Sequence, residues 1–162
     1  MTFAIREIRS ADNPQIAGII RQVLAEFGAN CSGFVWADPE LDHLSQAYTA
    51  PNAIYYVVTV ADNVVGGGGI APFPCIHKEV CELQKMYLLP SLRGQGVGKD
   101  LMQKLLATAV AYQYQGCYLE TFHKMHAAMH LYQKFGFEPV DKPLGNSGHS
   151  GCDRFFIRWF DR

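Results

Sequence analysis

The feature that most constrains this chain is a glycine-rich loop set between an apolar run and a helical pattern. Residues 80–89 are largely apolar, and Pro90, which has no backbone donor, ends a strand there. Glycines then occupy three alternate positions: Gly94, Gly96 and Gly98. Residues 101–110 repeat apolar side chains at helical spacing. The segment predicts a strand, a glycine loop and a helix in direct succession.

A glycine loop that opens a helix predicts an anion site, because unpaired backbone N–H groups and the helix dipole point to one place. Two familiar patterns fail here. A P-loop requires Gly and Ser or Thr where this chain has Arg93 and Asp100, and the dinucleotide fingerprint requires Gly at Lys99. A third pattern, Gln/Arg-x-x-Gly-x-Gly/Ala, fits residues 93–98 at every specified position.

On these residues the chain resembles the GNAT N-acetyltransferase superfamily, in which that pattern is the acetyl-CoA pyrophosphate loop. Residues 82–88 with Pro90 are similar to the fourth strand of the family, and residues 118–121 to its fifth. Residues 128–137 are similar to its closing helix and the following strand. One departure is Met125, where many members have an Asn that contacts pantetheine, so that contact is not carried over.

The resemblance implies an α/β fold, with a mixed, mostly antiparallel sheet of about seven strands and helices on both faces. It also implies that the fourth and fifth strands are parallel and splay apart. The residues themselves predict a first strand over 3–9 and a helix that begins at Asp12 or Asn13. A second helix is expected after Asp38, which would cap it.

A hairpin is expected over residues 54–71, with a turn at Asp62 and Asn63. Its returning strand contains four consecutive glycines, residues 66–69, although glycine weakens a strand interior. Either a bulge beside the thioester end or simple permissiveness of the backbone explains this run.

Length and composition bound the class of protein. With 162 residues, 49% of them hydrophobic, we expect one domain over 1–162. The net charge of −1 predicts no nucleic-acid partner and no membrane partner. The five cysteines are odd in number and widely spaced, which favours reduced thiols and a cytoplasmic location. A monomer and a homodimer are both compatible with the sequence.

The resemblance implies acetyl-CoA as the acyl donor. The backbone of Met86, Tyr87 and Leu88 is expected to pair with the pantetheine arm. The pyrophosphate is expected on the loop formed by Arg93, Gly94, Gln95, Gly96, Val97, Gly98 and Lys99. No metal is expected, because His126 and His130, although spaced i, i+4, have no adjacent carboxylate ligand.

Catalytic roles also follow from the resemblance. Tyr132 matches the tyrosine that protonates or hydrogen-bonds the leaving thiolate. Glu82 matches a glutamate base, but an extended strand places it roughly 13 Å from Met86, so a bridging water is expected. Glu120 is the rival carboxylate. Trp36, Glu120 and His149 are weaker candidates for acceptor binding.

These observations predict an acetyl-CoA-dependent N-acetyltransferase. It would move an acetyl group to a primary amine of a small molecule, amino acid or peptide, by direct attack in a ternary complex. The alternative is a non-catalytic acyl-CoA-binding module that has kept the loop. The sequence does not identify the acceptor.

Overall fold

The computed structural model describes residues 2–75 and 79–161, whose strands form one seven-stranded sheet in the order β1-β2-β3-β4-β5-β7-β6. The strands are β1 (Ala4–Glu7), β2 (Ile54–Val60), β3 (Asn63–Pro72), β4 (Val80–Leu88), β5 (Gly116–Thr121), β6 (Glu138–Val140) and β7 (Arg154–Trp159). The β4–β5 pair is parallel and the other described pairs are antiparallel. The predicted mixed, mostly antiparallel sheet is confirmed.

Helices cover both faces of the sheet, as predicted. They are α1 (Asn13–Glu26), α2 (Leu44–Ala47), α3 (Val97–Ala111) and α4 (His126–Lys134). Ile20 of α1 and Leu44 of α2 are fully buried in one cluster with Tyr55 of β2. Leu101 of α3 and Tyr132 of α4 belong to the cluster on the opposite face. Each face of the sheet therefore has a large apolar core, and burial of these apolar stripes is the main contribution to folding.

The second helix is much shorter than predicted. Residues 35–43 contain two short 3-10 turns, Val35–Ala37 and Leu41–His43, and only Leu44–Ala47 is α-helical. The prediction was wrong because Asp38 is not the N-cap of this helix; that position is held by His43. The carboxylate of Asp38 instead binds Lys85 and His149, which lie far away in the sequence.

Strands β4 and β5 pair only at their beginnings. Their ladder joins Val80, Cys81 and Glu82 of β4 to residues 116–118 of β5. Beyond Glu82 the described strands diverge, although β4 continues to Leu88 and β5 to Thr121. The predicted splay is confirmed, and it leaves a gap along one edge of β4.

A β-bulge lies where β3 crosses the middle of β4. Gly67 pairs with Tyr87 and Gly69 pairs with Gln84, so Gly68 alone faces two residues of β4. The extra residue is thus in β4, outside the glycine run. The bulge includes Lys85, which has a φ of 51°. The hydroxyl of Tyr55 donates a 2.7 Å hydrogen bond to the Lys85 carbonyl.

Tyr55 accounts for two of the four glycines in the run, Gly67 and Gly69. A Cβ at Gly67 would lie 2.6 Å from the Tyr55 ring, and one at Gly69 would lie 2.7 Å from it. The ring of Tyr55 therefore occupies the space that side chains would need. The glycines permit a close approach of an aromatic ring to the strand.

Candidate active site

A groove of about 740 Å³ runs between the glycine loop, the second half of β4 and α4. Three of the predicted arm-binding residues, Met86, Tyr87 and Leu88, line it. From the loop, the lining includes Arg93, Gly94, Gly96, Gly98 and Lys99. The structure thus brings most of the predicted cofactor residues to one groove, at the edge of β4 exposed by the splay.

The start of α3 presents its backbone to this groove. The helical hydrogen bonds begin with Asp100 N, which donates to Gly96 O at 3.1 Å. The N–H groups that precede Asp100 therefore lie ahead of the helical ladder. A Cβ at Gly94 or Gly96 would meet no atom within 4 Å, and both residues have positive φ. This open cradle fits a pyrophosphate held by backbone donors.

Two loop residues direct their side chains elsewhere. The amide of Gln95 donates to the Ser91 carbonyl at 2.7 Å, and Val97 is fully buried in the core beneath α3. Gln95 and Val97 can therefore contribute to anion binding only through their backbone N–H groups. Arg93, although it lines the groove, forms a two-point ion pair with Glu26 at 2.6 and 2.9 Å.

A smaller pocket of about 60 Å³ adjoins the groove and shares Met86, Tyr87, Met125 and Tyr132 with it. Its lining contains four of the predicted site residues: Glu82, Glu120, Tyr132 and His149. Trp36 is not brought to either cavity; it is 36% exposed, whereas its neighbours Phe34 and Val35 line the pocket.

Glu82 lies in the interior of this pocket at 7% exposure. Burial raises the pKa of Glu82 to about 7, against an opposing hydrogen bond from Gln84. The amide of Gln84 donates to Glu82 at 2.6 Å and accepts at 2.7 Å from the hydroxyl of Tyr48. In this arrangement the Gln84 amide presents its donor to the Glu82 carboxylate and its oxygen to Tyr48. A carboxylate with a pKa near neutrality is suited to general base catalysis.

Tyr132 and Glu120 stand on two other elements around the same pocket. Burial raises the pKa of the Tyr132 hydroxyl above its ordinary value of 10.0, so the hydroxyl remains protonated at neutral pH. Glu120 accepts hydrogen bonds from the hydroxyls of Tyr118, at 2.6 Å, and Ser147, at 2.5 Å. The pocket therefore combines a protonated hydroxyl with two carboxylates in different environments.

An ionic cluster that was not predicted from the sequence lies beside the smaller pocket. The ammonium of Lys85 lies 2.9 Å from Asp38 and 3.0 Å from Glu40. Asp38 also binds His149 Nε2 at 2.8 Å. Burial opposes ionisation of Asp38, but His149 and Lys85 together lower its pKa, and Asp38 raises the pKa of His149. A lysine inside an apolar strand pattern was the available signal, because buried lysines are normally paired.

The described residues contain no group of three or more His, Cys, Asp or Glu side chains able to hold a metal ion. Among the same residues, no helix is both long and apolar enough to cross a bilayer. Cys81 and Cys117 are buried thiols.

Comparison with known proteins agrees with this geometry. Residues 18–137 match the model of the Acetyltransferase (GNAT) family. Fold and site thus define an acyltransferase that uses an acyl-CoA donor, and the chain belongs to the GNAT family of N-acetyltransferases.

One similar protein is the uncharacterized N-acetyltransferase YjgM of Escherichia coli K12. It is 44% identical over 155 residues, which cover 95% of this chain and 93% of that protein. Among solved structures, a GNAT-family acetyltransferase from Staphylococcus aureus Mu50 has a TM-score of 0.88 at 21% identity, covering 99% and 100% of the two chains. The PaiA N-acetyltransferase of Thermoplasma acidophilum, solved with coenzyme A, has a TM-score of 0.72 at 14% identity, covering 99% and 100%.

Proposed function

We propose that this protein transfers the acetyl group of acetyl-CoA to a primary amine of a small molecule, in a ternary complex and without a covalent acyl-enzyme. The observation that carries this proposal is the junction of the two cavities at Met86, Tyr87 and Tyr132. A thioester at the end of the groove would face an amine in the pocket at this junction.

The groove accounts for donor binding. The pyrophosphate lies against the N–H groups at the start of α3, where the helix dipole favours an anion. The pantetheine arm lies along Met86, Tyr87 and Leu88, at the strand edge that β5 no longer covers. Amide groups of the arm replace the missing strand pairing, so the splay both creates the groove and supplies its hydrogen bonds.

The reaction uses the pocket residues as follows. Glu82, through a bridging water, takes a proton from the amine as the amine nitrogen attacks the thioester carbonyl. The new C–N bond forms, the C–S bond breaks, and the electron pair leaves on sulfur. Tyr132 donates its proton to that sulfur and regains one from water, while Glu82 releases its proton to solvent. The products are an acetamide and the thiol of coenzyme A.

The environments of these two groups suit their roles. A pKa of about 7 leaves much of Glu82 ionised at neutral pH while keeping it basic enough to accept the amine proton. The Tyr132 hydroxyl retains its proton at neutral pH. Glu120 and His149 also line the pocket and would contact the acceptor there, whereas Trp36 lines neither cavity.

The test combines donor binding with turnover. We expect saturable calorimetric binding of acetyl-CoA and amine-dependent release of thiol across a panel of primary amines. Binding without any amine-dependent release would indicate the alternative, a non-catalytic acyl-CoA-binding module. Absence of acetyl-CoA binding would refute both.

A further inference from the structure

The pocket that would receive the acceptor has an unequal balance of charge. Among its described lining residues, Lys85 and His149 are the basic side chains, and Glu82 and Glu120 are the acidic ones. Taken alone, this lining is nearly balanced. The residues immediately behind it change that balance.

Both basic groups are already neutralised by the protein. Lys85 lies between Asp38 and Glu40, at 2.9 and 3.0 Å, and its side chain is only 4% exposed. His149 shares Asp38, at 2.8 Å. Lys85 and His149 therefore both face carboxylates behind the pocket, and a carboxylate on the acceptor would find no uncompensated cation among the described lining residues.

Glu120 is in the opposite situation. Its two oxygens accept hydrogen bonds from neutral hydroxyls, those of Tyr118 and Ser147. In the part of the chain that the structure describes, Glu120 forms no ion pair. Its charge is thus held in place and oriented but not balanced, which makes it a binding site for an ammonium group.

The pocket is also narrow. Its volume of about 60 Å³ is enough for roughly five water molecules, at about 10–15 Å³ each. The aromatic side chain of Phe34 forms part of its wall. Such a space accepts an unbranched chain more readily than a ring or a branched side chain.

We infer that the acceptor is an unbranched diamine or polyamine with no carboxylate beside its amines. One amine remains an ammonium at Glu120 while the other, neutralised through Glu82, attacks the thioester. This inference rests on the proposed function and narrows its substrate class, since it disfavours α-amino acids. A carboxylate would lie near Glu82 and Glu120, and like charges placed together in a desolvated site are strongly unfavourable.

A matched substrate pair tests this inference. 1,4-Diaminobutane and ornithine differ only in the α-carboxylate of ornithine. We expect kcat/KM of the wild-type protein to be at least about tenfold higher for 1,4-diaminobutane. Equal values for the two compounds, or a preference for ornithine, would overturn the inference.

Substitutions at Glu120 and at the carboxylates behind the pocket test whether these charges cause the preference for 1,4-diaminobutane. Glu120→Gln should raise KM for 1,4-diaminobutane at least about tenfold while kcat changes little, because the ammonium loses its anionic partner. Asp38→Asn should increase the relative kcat/KM for ornithine, because Lys85 and His149 lose a shared partner. Glu40→Gln, at a more exposed position, provides the same readout if Asp38→Asn fails to fold.

Acetyl-CoA affinity serves as the folding control for each variant. An unchanged KM for 1,4-diaminobutane in folded Glu120→Gln would refute the role of Glu120. If no amine stimulates thiol release, the proposed function fails. In that case, calorimetric binding of 1,4-diaminobutane in preference to ornithine would still support the charge selection, and equal or absent binding would remove it.

Discussion

The side-chain amide of Gln84 donates a 2.6 Å hydrogen bond to Oε1 of Glu82, two residues earlier on the same strand. Alternation along β4 places both side chains on one face of the sheet. The bond opposes the effect of burial, which raises the pKa of Glu82 to about 7. Base strength in this pocket is therefore set by two opposing physical effects.

The pH dependence of catalysis should reveal Glu82. A base acts when deprotonated, so kcat/KM should fall as pH decreases through about 7. In Glu82→Gln this acidic limb should disappear and turnover should fall by about a hundredfold or more. The measurement is a pH–rate profile of thiol release, and an unaltered profile in the variant would refute Glu82 as the base.

Gln84→Ala should move the acidic limb of the pH–rate profile to higher pH. This substitution removes the hydrogen bond that the Gln84 amide donates to ionised Glu82, so the pKa of Glu82 should rise above about 7. Tyr48→Phe should give a smaller shift in the same direction, because Tyr48 orients the Gln84 amide. Gln46→Ala, at an exposed position on α2, is the matched control and should leave the profile in place.

Tyr132→Phe separates proton donation from donor binding. The ring remains packed against Phe137 and Phe156 in the core, whereas the hydroxyl is lost. We expect kcat to decrease by about a hundredfold, with acetyl-CoA affinity within a factor of about two of the wild-type value. Calorimetry and steady-state kinetics on the same preparation provide both quantities. Turnover equal to that of the wild type would eliminate the acid role.

Gly98→Val should block the groove without breaking the loop. A Cβ at Gly98 makes only ordinary 3.5 Å contacts with Leu131 and Leu88, so the larger side chain extends into the groove. Acetyl-CoA affinity should fall at least tenfold, which is about 1.4 kcal/mol.

Two controls accompany Gly98→Val. Gln95→Ala, whose side chain bonds Ser91, should bind acetyl-CoA normally. Gly18→Val, at an exposed helical position with nothing within 4 Å, controls for added bulk in a helix. Val97 is unsuitable as a control because it is fully buried. Equal affinities for the Gly98 and Gln95 variants would contradict the proposed pyrophosphate site.

The pair formed by His149 and Asp38 should make stability depend on pH. The pKa of folded His149 is raised above 6.5, so its contribution is complete below 6.5 and is lost as pH rises through the folded value. Denaturant unfolding of the wild type and of His149→Gln should therefore differ most below pH 6.5. A difference that does not vary with pH would argue against the charged pair.

The sequence predicted the strand, loop and helix that line the groove because their signals are local. A strand end at Pro90, the alternate glycines between Arg93 and Lys99, and a helix start follow one another within a few residues. Each of these signals depends only on neighbours in the chain. The core stripes of α1 and α3 are local in the same sense. The fold class followed from the same residues through the family pattern.

The acceptor site was only partly predictable. Glu82, Glu120, Tyr132 and His149 were singled out individually, but their convergence on one pocket depends on two splayed strands, helix α4 and the loop between β6 and β7. Lys85 was missed because its role depends on Asp38 and Glu40, which are more than forty positions away. Asp38 was misread as a helix cap because the local pattern of Asp followed by Pro was taken without its distant partners.

The sequence by itself determined the strand, glycine loop and helix that line the groove, because hydrophobic period and glycine placement act between near neighbours. Only the tertiary structure decided the charge of the acceptor pocket. Ion pairs such as that of Lys85 with Asp38 join residues brought together by the bulge in β4, and burial sets the pKa of Glu82 only once the sheet and its covering loops have closed around it.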